Sequence, residues 1–247
     1  MKGGNFDAVF ISNPMKALHL AAGLSGVSAR IGYDRKWPLL LTRRMPDDRS
    51  SGKRHEVESN VEFLRFAGVP IHETLPVSWN LQDEEEGVAA ILAQRVVDPN
   101  KPFVVIHPWA SHPKKQWPPE CLVALIQEIH GRYRLPAVIV GRPDIAAPSF
   151  DAVIQECSGA DLTGELTLPQ LAALLKRAAV LVSGDSGPVH LAASVGCHVI
   201  ALFGTKEAAA GPVRWGPWGS GHKVIWKSSM DAITVDEVLE AVASYVR

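Results

Sequence analysis

The hydrophobic positions fall into two alternating patterns. Short apolar runs at 6–12, 29–33, 103–107, 137–141, 180–183 and 199–203 predict strands. Between them, apolar residues recur at helical spacing over 14–24, 55–67, 84–97, 119–133, 149–157, 168–178, 187–195 and 235–246. Val57, Val61, Leu64 and Ala67 form one such stripe, which Gly68 ends. Pro14 fits the first turn of its helix. Strand followed by helix, repeated, is the signature of βαβ units and predicts an α/β chain with parallel sheets. The four strands between 101 and 203 suffice for one complete Rossmann-like domain, whereas the first 70 residues supply only about two strands and two helices. The stretch 69–81, with Pro70, Pro76 and no period, reads as a linker. The expected division is therefore 1–80 and 81–247.

Composition narrows this picture without redirecting it. With 47% hydrophobic and 21% charged residues among 247, the chain is neither disordered, collagenous nor a coiled coil. Lys and Arg total 25 against 26 Asp and Glu, so overall charge supplies no argument for a nucleic-acid partner. Cys121, Cys157 and Cys197 are odd in number and lack Cys-x-x-Cys spacing, which predicts a reducing compartment and no structural zinc. No apolar run approaches the roughly 20 residues of a membrane-crossing helix.

Candidate chemistry gathers where strands give way to helices. From Ser183 to His190 the chain reads Ser-Gly-Asp-Ser-Gly-Pro-Val-His, after an apolar strand and at a helix start. That is the carboxyl edge of the sheet, where open α/β folds bind ligands. Gly184 and Gly187 would let backbone approach an anion, Ser186 and the helix-start N–H groups could bond phosphate oxygens, and His190 lies within reach. The plainer alternative is a cap by Asp185 or Ser186 with a buried, satisfied histidine. A second strand-end segment, 107–118, offers Ser111, Lys114 and Lys115 to a diphosphate, with Trp117 as core; a solvated polar loop is its alternative. At 140–144, Asp144 could meet a ribose, although a simple turn explains the same residues. The long loop 203–219 is rich in Gly, Pro and Trp, with Trp215 and Trp218 available either for stacking or for packing. P-loop, dinucleotide, nucleophile-elbow and zinc-helix motifs are missing. The Gly-Asp-Ser-Gly run lies between a parallel strand and a helix, which excludes a trypsin-like setting.

Taken together, these segments resemble glycosyltransferase family 9, the bacterial ADP-heptose:lipopolysaccharide heptosyltransferases. The matching parts are 183–190 (the family's D-[ST]-G-x-x-H), the Pro108-to-Pro118 loop, 201–205 and 214–219, with 30–34 and 55–58 upstream. The resemblance implies a GT-B fold, with a complete C-terminal domain holding the nucleotide-sugar and a partial N-terminal, acceptor-side domain. It implies donor contacts at Ser111, Lys115, Asp144, Leu166, Asp185, Ser186, Gly187 and His190. No metal or other cofactor is expected, the ADP-sugar being a substrate. The implied reaction is inverting heptosyl transfer to a lipid-linked saccharide of the lipopolysaccharide core, in the cytoplasm at the inner face of the inner membrane. Two departures stand out. Trp109 occupies a position where the family usually has Gly, which would narrow the donor pocket or reshape its loop. The family's first strand and its Gly-Asp loop, which carries the base, have no counterpart before Phe6, and neither Asp7 nor Asp34 matches that Asp. The expectation is a weakly active chain, prone to self-association through its uncovered sheet edge, or a binding module without turnover.

Overall fold

The computed structural model describes residues 6–71, 79–110, 112–142 and 150–246. The chain divides into two compact units, residues 1–75 and 76–247. Among the described residues, no helix is long and apolar enough to cross a membrane.

The first unit is a three-stranded parallel sheet in sequential order: β1 (Ala8–Ile11), β2 (Ala29–Tyr33) and β3 (Arg43–Met45). Helix α1 (Lys16–Leu24) joins the first two strands, and α2 (Glu56–Phe66) follows the third. Its start is fixed by a capping box: the His55 imidazole accepts from the Val57 N–H, and Glu58 reaches back to the His55 N–H. Helix α1 begins at Lys16 rather than Pro14, because Met15 holds an extended cap conformation with ψ 136°. The buried cores here are small, Ile31, Tyr33, Met45 and Phe63 on one side and Ile11, Ala22 and Leu41 on the other.

What fills the carboxyl end of this small sheet is charge. The Arg49 guanidinium donates to both Asp47 carboxylate oxygens at 2.8 and 3.1 Å, to Glu56 at 3.2 Å and to the Ser12 carbonyl at 3.1 Å. It lies 3.8 Å from the centre of the Tyr33 ring. Asp47 is 1% exposed, yet its carboxyl is held below the usual range: burial alone would raise it, and the hydrogen bonds and charge of Arg49 outweigh that.

The second unit is a six-stranded, wholly parallel sheet in the order β6-β5-β4-β7-β8-β9. The strands are β4 (Val104–His107), β5 (Ala137–Ile139), β6 (Ala160–Asp161), β7 (Val180–Gly184), β8 (Val199–Gly204) and β9 (Lys223–Lys227). Counting from β4, this is the 3-2-1-4-5-6 order of a doubly wound fold. Strand residues alternate between two cores. Val104, Ile106, Val180, Val182, Ile200 and Leu202 face α4 (Pro119–Tyr133), α5 (Asp151–Glu156) and α9 (Val235–Val246). Phe103, Val105, Leu181, Val199, Ala201 and Phe203 face α3 (Gln82–Gln94), α6 (Leu168–Arg177) and α7 (Gly187–Ser194). Burial on both faces explains why these strands read as unbroken apolar runs. Within the 203–219 loop lies a short helix, α8 (Pro212–Trp215).

All three cysteines are free; Cys197 is buried, which pushes its thiol up to about 12 and leaves it unreactive.

Candidate functional site at the strand-order reversal

Strand order reverses between β4 and β7, and their carboxyl ends lie side by side with His107 paired in register to Ser183. Connections leaving these two strands depart to opposite sides, so a crevice opens between the loops that follow them. The Lys115 and Asp185 expectations meet here. After β4 the chain makes a single turn of 3-10 helix, Pro113–Lys115, in which the His112 imidazole accepts from the Lys114 N–H at 3.2 Å. That turn lies directly on the end of β7. A Cβ on Gly184 would come within 2.6 Å of the Lys115 carbonyl oxygen, so only glycine lets the loop settle there. Once settled, Lys115 forms an ion pair with Asp185 through the ammonium and one carboxylate oxygen. The Lys115 side chain is 41% exposed and that of Asp185 14%, so the pair stands at the surface on the lysine side.

The pair borders a cavity of about 320 Å3 that also meets His112, Thr205 and Glu207. A second cavity, of about 510 Å3, opens past the end of β4, where His107, Gly141 and Pro188 meet the apolar wall of Leu162, Leu166 and Leu171. One cavity thus offers a cation and hydroxyl, the other a mostly apolar slot. The geometry suits a ligand with an anionic part and a flat, weakly polar part.

The remaining expected residues are distributed around these cavities. Ser186 is the N-cap residue of α7 by position, but its hydroxyl makes no cap hydrogen bond; it lies 2.9 Å from Ser183 Oγ and 3.3 Å from His107 Nδ1. Gly187 and His190 sit in the first turn of α7, both exposed. The capping alternative with a buried histidine is therefore not what forms. A Cβ on Gly187 would meet no atom within 4 Å, so close backbone packing within the protein does not require that glycine, whereas it does require Gly184. Leu166 lines the larger cavity and packs against the core. Ser111 and Asp144 lie outside the described residues.

The tryptophans separate cleanly. Trp117 is core, its indole N–H donating to the Ile233 carbonyl at 3.0 Å. Trp215 packs on the core and donates to the Ala209 carbonyl at 3.0 Å, while Trp218 is exposed. Trp109, expected to narrow the pocket or reshape its loop, is 6% exposed and lies flush on Gly141: a Cβ there would be 2.0 Å from its Cε3. It also meets the His107 and Phe150 rings edge-on, at 6.1 and 6.5 Å between centroids. Its bulk has gone into the wall behind Gly141.

Sequence reasoning missed His107. Burial pushes this imidazole down to about 4, so it is neutral at physiological pH. The available signal was a histidine closing an apolar strand at the sheet's carboxyl edge.

The fold is that of the GT-B-like glycosyltransferases. A solved structure of ADP-heptose lps heptosyltransferase II from E. coli superposes with a TM-score of 0.75 at 20% identity, over 98% of this chain and 76% of that one. The sequence pattern of glycosyltransferase family 9 (heptosyltransferase) matches residues 2–240, and the chain belongs to that family. Among curated proteins, it is 28% identical over 179 residues to lipopolysaccharide heptosyltransferase 3 of Escherichia coli, covering 69% of this chain and 49% of that protein. It is 24% identical over 235 residues to lipopolysaccharide core heptosyltransferase OpsX of Haemophilus influenzae, covering 91% and 63%. The chain thus spans between about half and two thirds of the length of these relatives.

Proposed function

We propose that the second unit binds the nucleoside diphosphate of a sugar donor, the base in the 510 Å3 cavity and the diphosphate at Lys115 and the start of α7. The observation that carries this reading is the meeting of an apolar slot and an accessible cation at one strand-order reversal. The names of the relatives suggest heptosyl transfer from ADP-heptose to a lipopolysaccharide-core acceptor, and the reading places that transfer on the cytoplasmic side of the membrane that carries the acceptor. In an inverting transfer, the acceptor oxygen attacks the anomeric carbon opposite the leaving group. The bond from that carbon to the diphosphate oxygen breaks, and the acceptor proton passes to a base. Charge then grows on the departing diphosphate. The Lys115 ammonium and the positive end of α7 would stabilise it, a role that otherwise falls to a divalent cation. Among the described residues, no group of three or more His, Cys, Asp or Glu could hold a metal ion.

Calorimetric titration with ADP tests the reading. Lys115→Ala should weaken binding by about 1.5–3 kcal/mol, the range for a hydrogen bond to a charged group. Affinity should be the same in EDTA as with Mg²⁺. Failure of the intact chain to bind ADP would sink the proposal, and tenfold tighter binding with Mg²⁺ would remove metal independence. Binding with no transfer to a lipopolysaccharide-core acceptor would assign the chain as a binding module.

A further inference from the structure

Behind the start of α7 lies a hydrogen-bonded triangle that neither the family nor the donor reading accounts for. His107 Nδ1 is 3.1 Å from Ser183 Oγ and 3.3 Å from Ser186 Oγ, and the two hydroxyl oxygens are 2.9 Å apart. One arrangement of protons satisfies all of these contacts and the neighbouring Gly184 carbonyl at once. Ser183 Oγ donates to the Gly184 carbonyl at 2.9 Å, which spends its only proton. It must then accept from both other members. Ser186 therefore donates to Ser183, and the imidazole proton sits on Nδ1. With that proton on Nε2 instead, Ser183 could serve Nδ1 only by turning its hydroxyl away from the Gly184 carbonyl. Ser183 is 2% exposed, and an unsatisfied group there is costly.

This arrangement has a useful property. Suppose the Ser186 hydroxyl turns away from Ser183 toward an anion at the α7 start. Ser183 still accepts from His107 and still donates to Gly184, and Ser186 Oγ can still accept from Nδ1–H. No buried polar group loses its last partner, so turning costs only the Ser186–Ser183 bond. Had Ser186 capped its own helix, as its position invites, the same turn would have orphaned a helix N–H.

We infer that His107 is a positioning residue, holding the Ser186 hydroxyl ready to swing from Ser183 to a phosphate oxygen of the donor. The inference rests on the donor-site reading above and adds to it a residue that need not touch the ligand. Burial keeps the ring neutral, so the triangle adds no charge beside the donor site.

The test is a double-mutant cycle read by ADP calorimetry, with His107→Leu, Ser186→Ala and the pair, each checked for folding by thermal melt. Ser186→Ala should weaken ADP at least about tenfold, as for loss of a bond to a charged group. His107→Leu should weaken it about fivefold or more when Ser186 is present and have no further effect in Ser186→Ala, the signature of coupled residues. His107→Asn, whose amide N–H can replace Nδ1–H, should restore affinity to within about threefold of the parent. Independently of ADP, nitrogen-15 NMR of His107 should show the proton on Nδ1. Equal losses from His107→Leu in both backgrounds would mean a purely structural role and overturn the inference, as would a proton on Nε2. Intact ADP binding that ignores Ser186→Ala would sink this inference and leave the donor site standing. No ADP binding by the parent chain would sink both.

Discussion

The two units put polar residues at the same place, the carboxyl ends of parallel strands, and make opposite use of them. In the first, Arg49, Asp47, Glu56 and Tyr33 satisfy one another almost completely, with Arg49 9% and Asp47 1% exposed. In the second, the groups behind the strand ends are neutral, half-buried His107 and Ser186 around the buried Ser183, and the charged ones, Lys115 and Asp185, stand at the rim. Core size explains the difference. Three short strands and two small clusters leave the first sheet's end to be closed by a salt-bridge network, whose parts are then committed to structure. Six strands with helices on both faces close the second sheet by apolar packing, so its cation, paired only with Asp185 at the rim, can still face a ligand. A buried charge network fixes a shape, whereas a rim charge over a neutral floor is available to a ligand.

The sharpest break of that contrast is Arg49→Ala. It strands a carboxylate in a buried site and should cost about 3–5 kcal/mol. Hydrogen exchange read by mass spectrometry should show β2 and β3 losing protection while β4 and β7 keep theirs. Equal protection everywhere would mean that the network does not hold the first sheet together.

Next in size is the response to acid. His107 is depressed from 6.5 to about 4, so the unfolded chain takes up its proton first and stability falls as pH drops through that window. Most of the loss, about 2–3 kcal/mol, should be complete near pH 4 and should be absent in His107→Asn. Asp47 is also depressed, but from 3.8, so its contribution persists above that value and disappears only below it. The second unit should therefore weaken first on acidification, followed by urea melts with the same exchange readout. A first unit that opens at higher pH than the second would contradict both assignments.

The smallest effect concerns Gly141. Adding a methyl group drives it into Trp109 and should cost about 1–3 kcal/mol, the usual penalty of overpacking. Trp109→Leu should relieve most of that cost in the double variant. If Gly141→Ala is tolerated with Trp109 in place, the wall behind the larger cavity is softer than it looks.

Much of this was legible in the chain because burial on both faces writes a strong signal. β4, β7 and β8 stand out as apolar runs, and the carboxyl-edge rule then places Lys115, Asp185 and Ser186 near one another, whereas Leu166 came only from the family resemblance. Weakly buried strands were not legible. β9 carries Lys223 and Lys227 at its ends and exposes Val224 and Trp226, since an edge strand has one neighbour and one covered face. β3 is Arg-Arg-Met, a strand only because β2 offers it backbone partners. His107 escaped for another reason: its meaning depends on Ser183, 76 residues away, which no local pattern reports.

The contact between Trp109 and Gly141 has a historical side. An indole at 109 fits only if 141 has no side chain, because the nearest ring atom would lie 2.0 Å from the first carbon added there. Glycine at 141 carries no such condition on 109. A route whose single steps avoid that overpacking penalty therefore takes the glycine before the tryptophan. With both in place, a side chain at 141 carries that penalty unless 109 changes first, and the pair works as a ratchet.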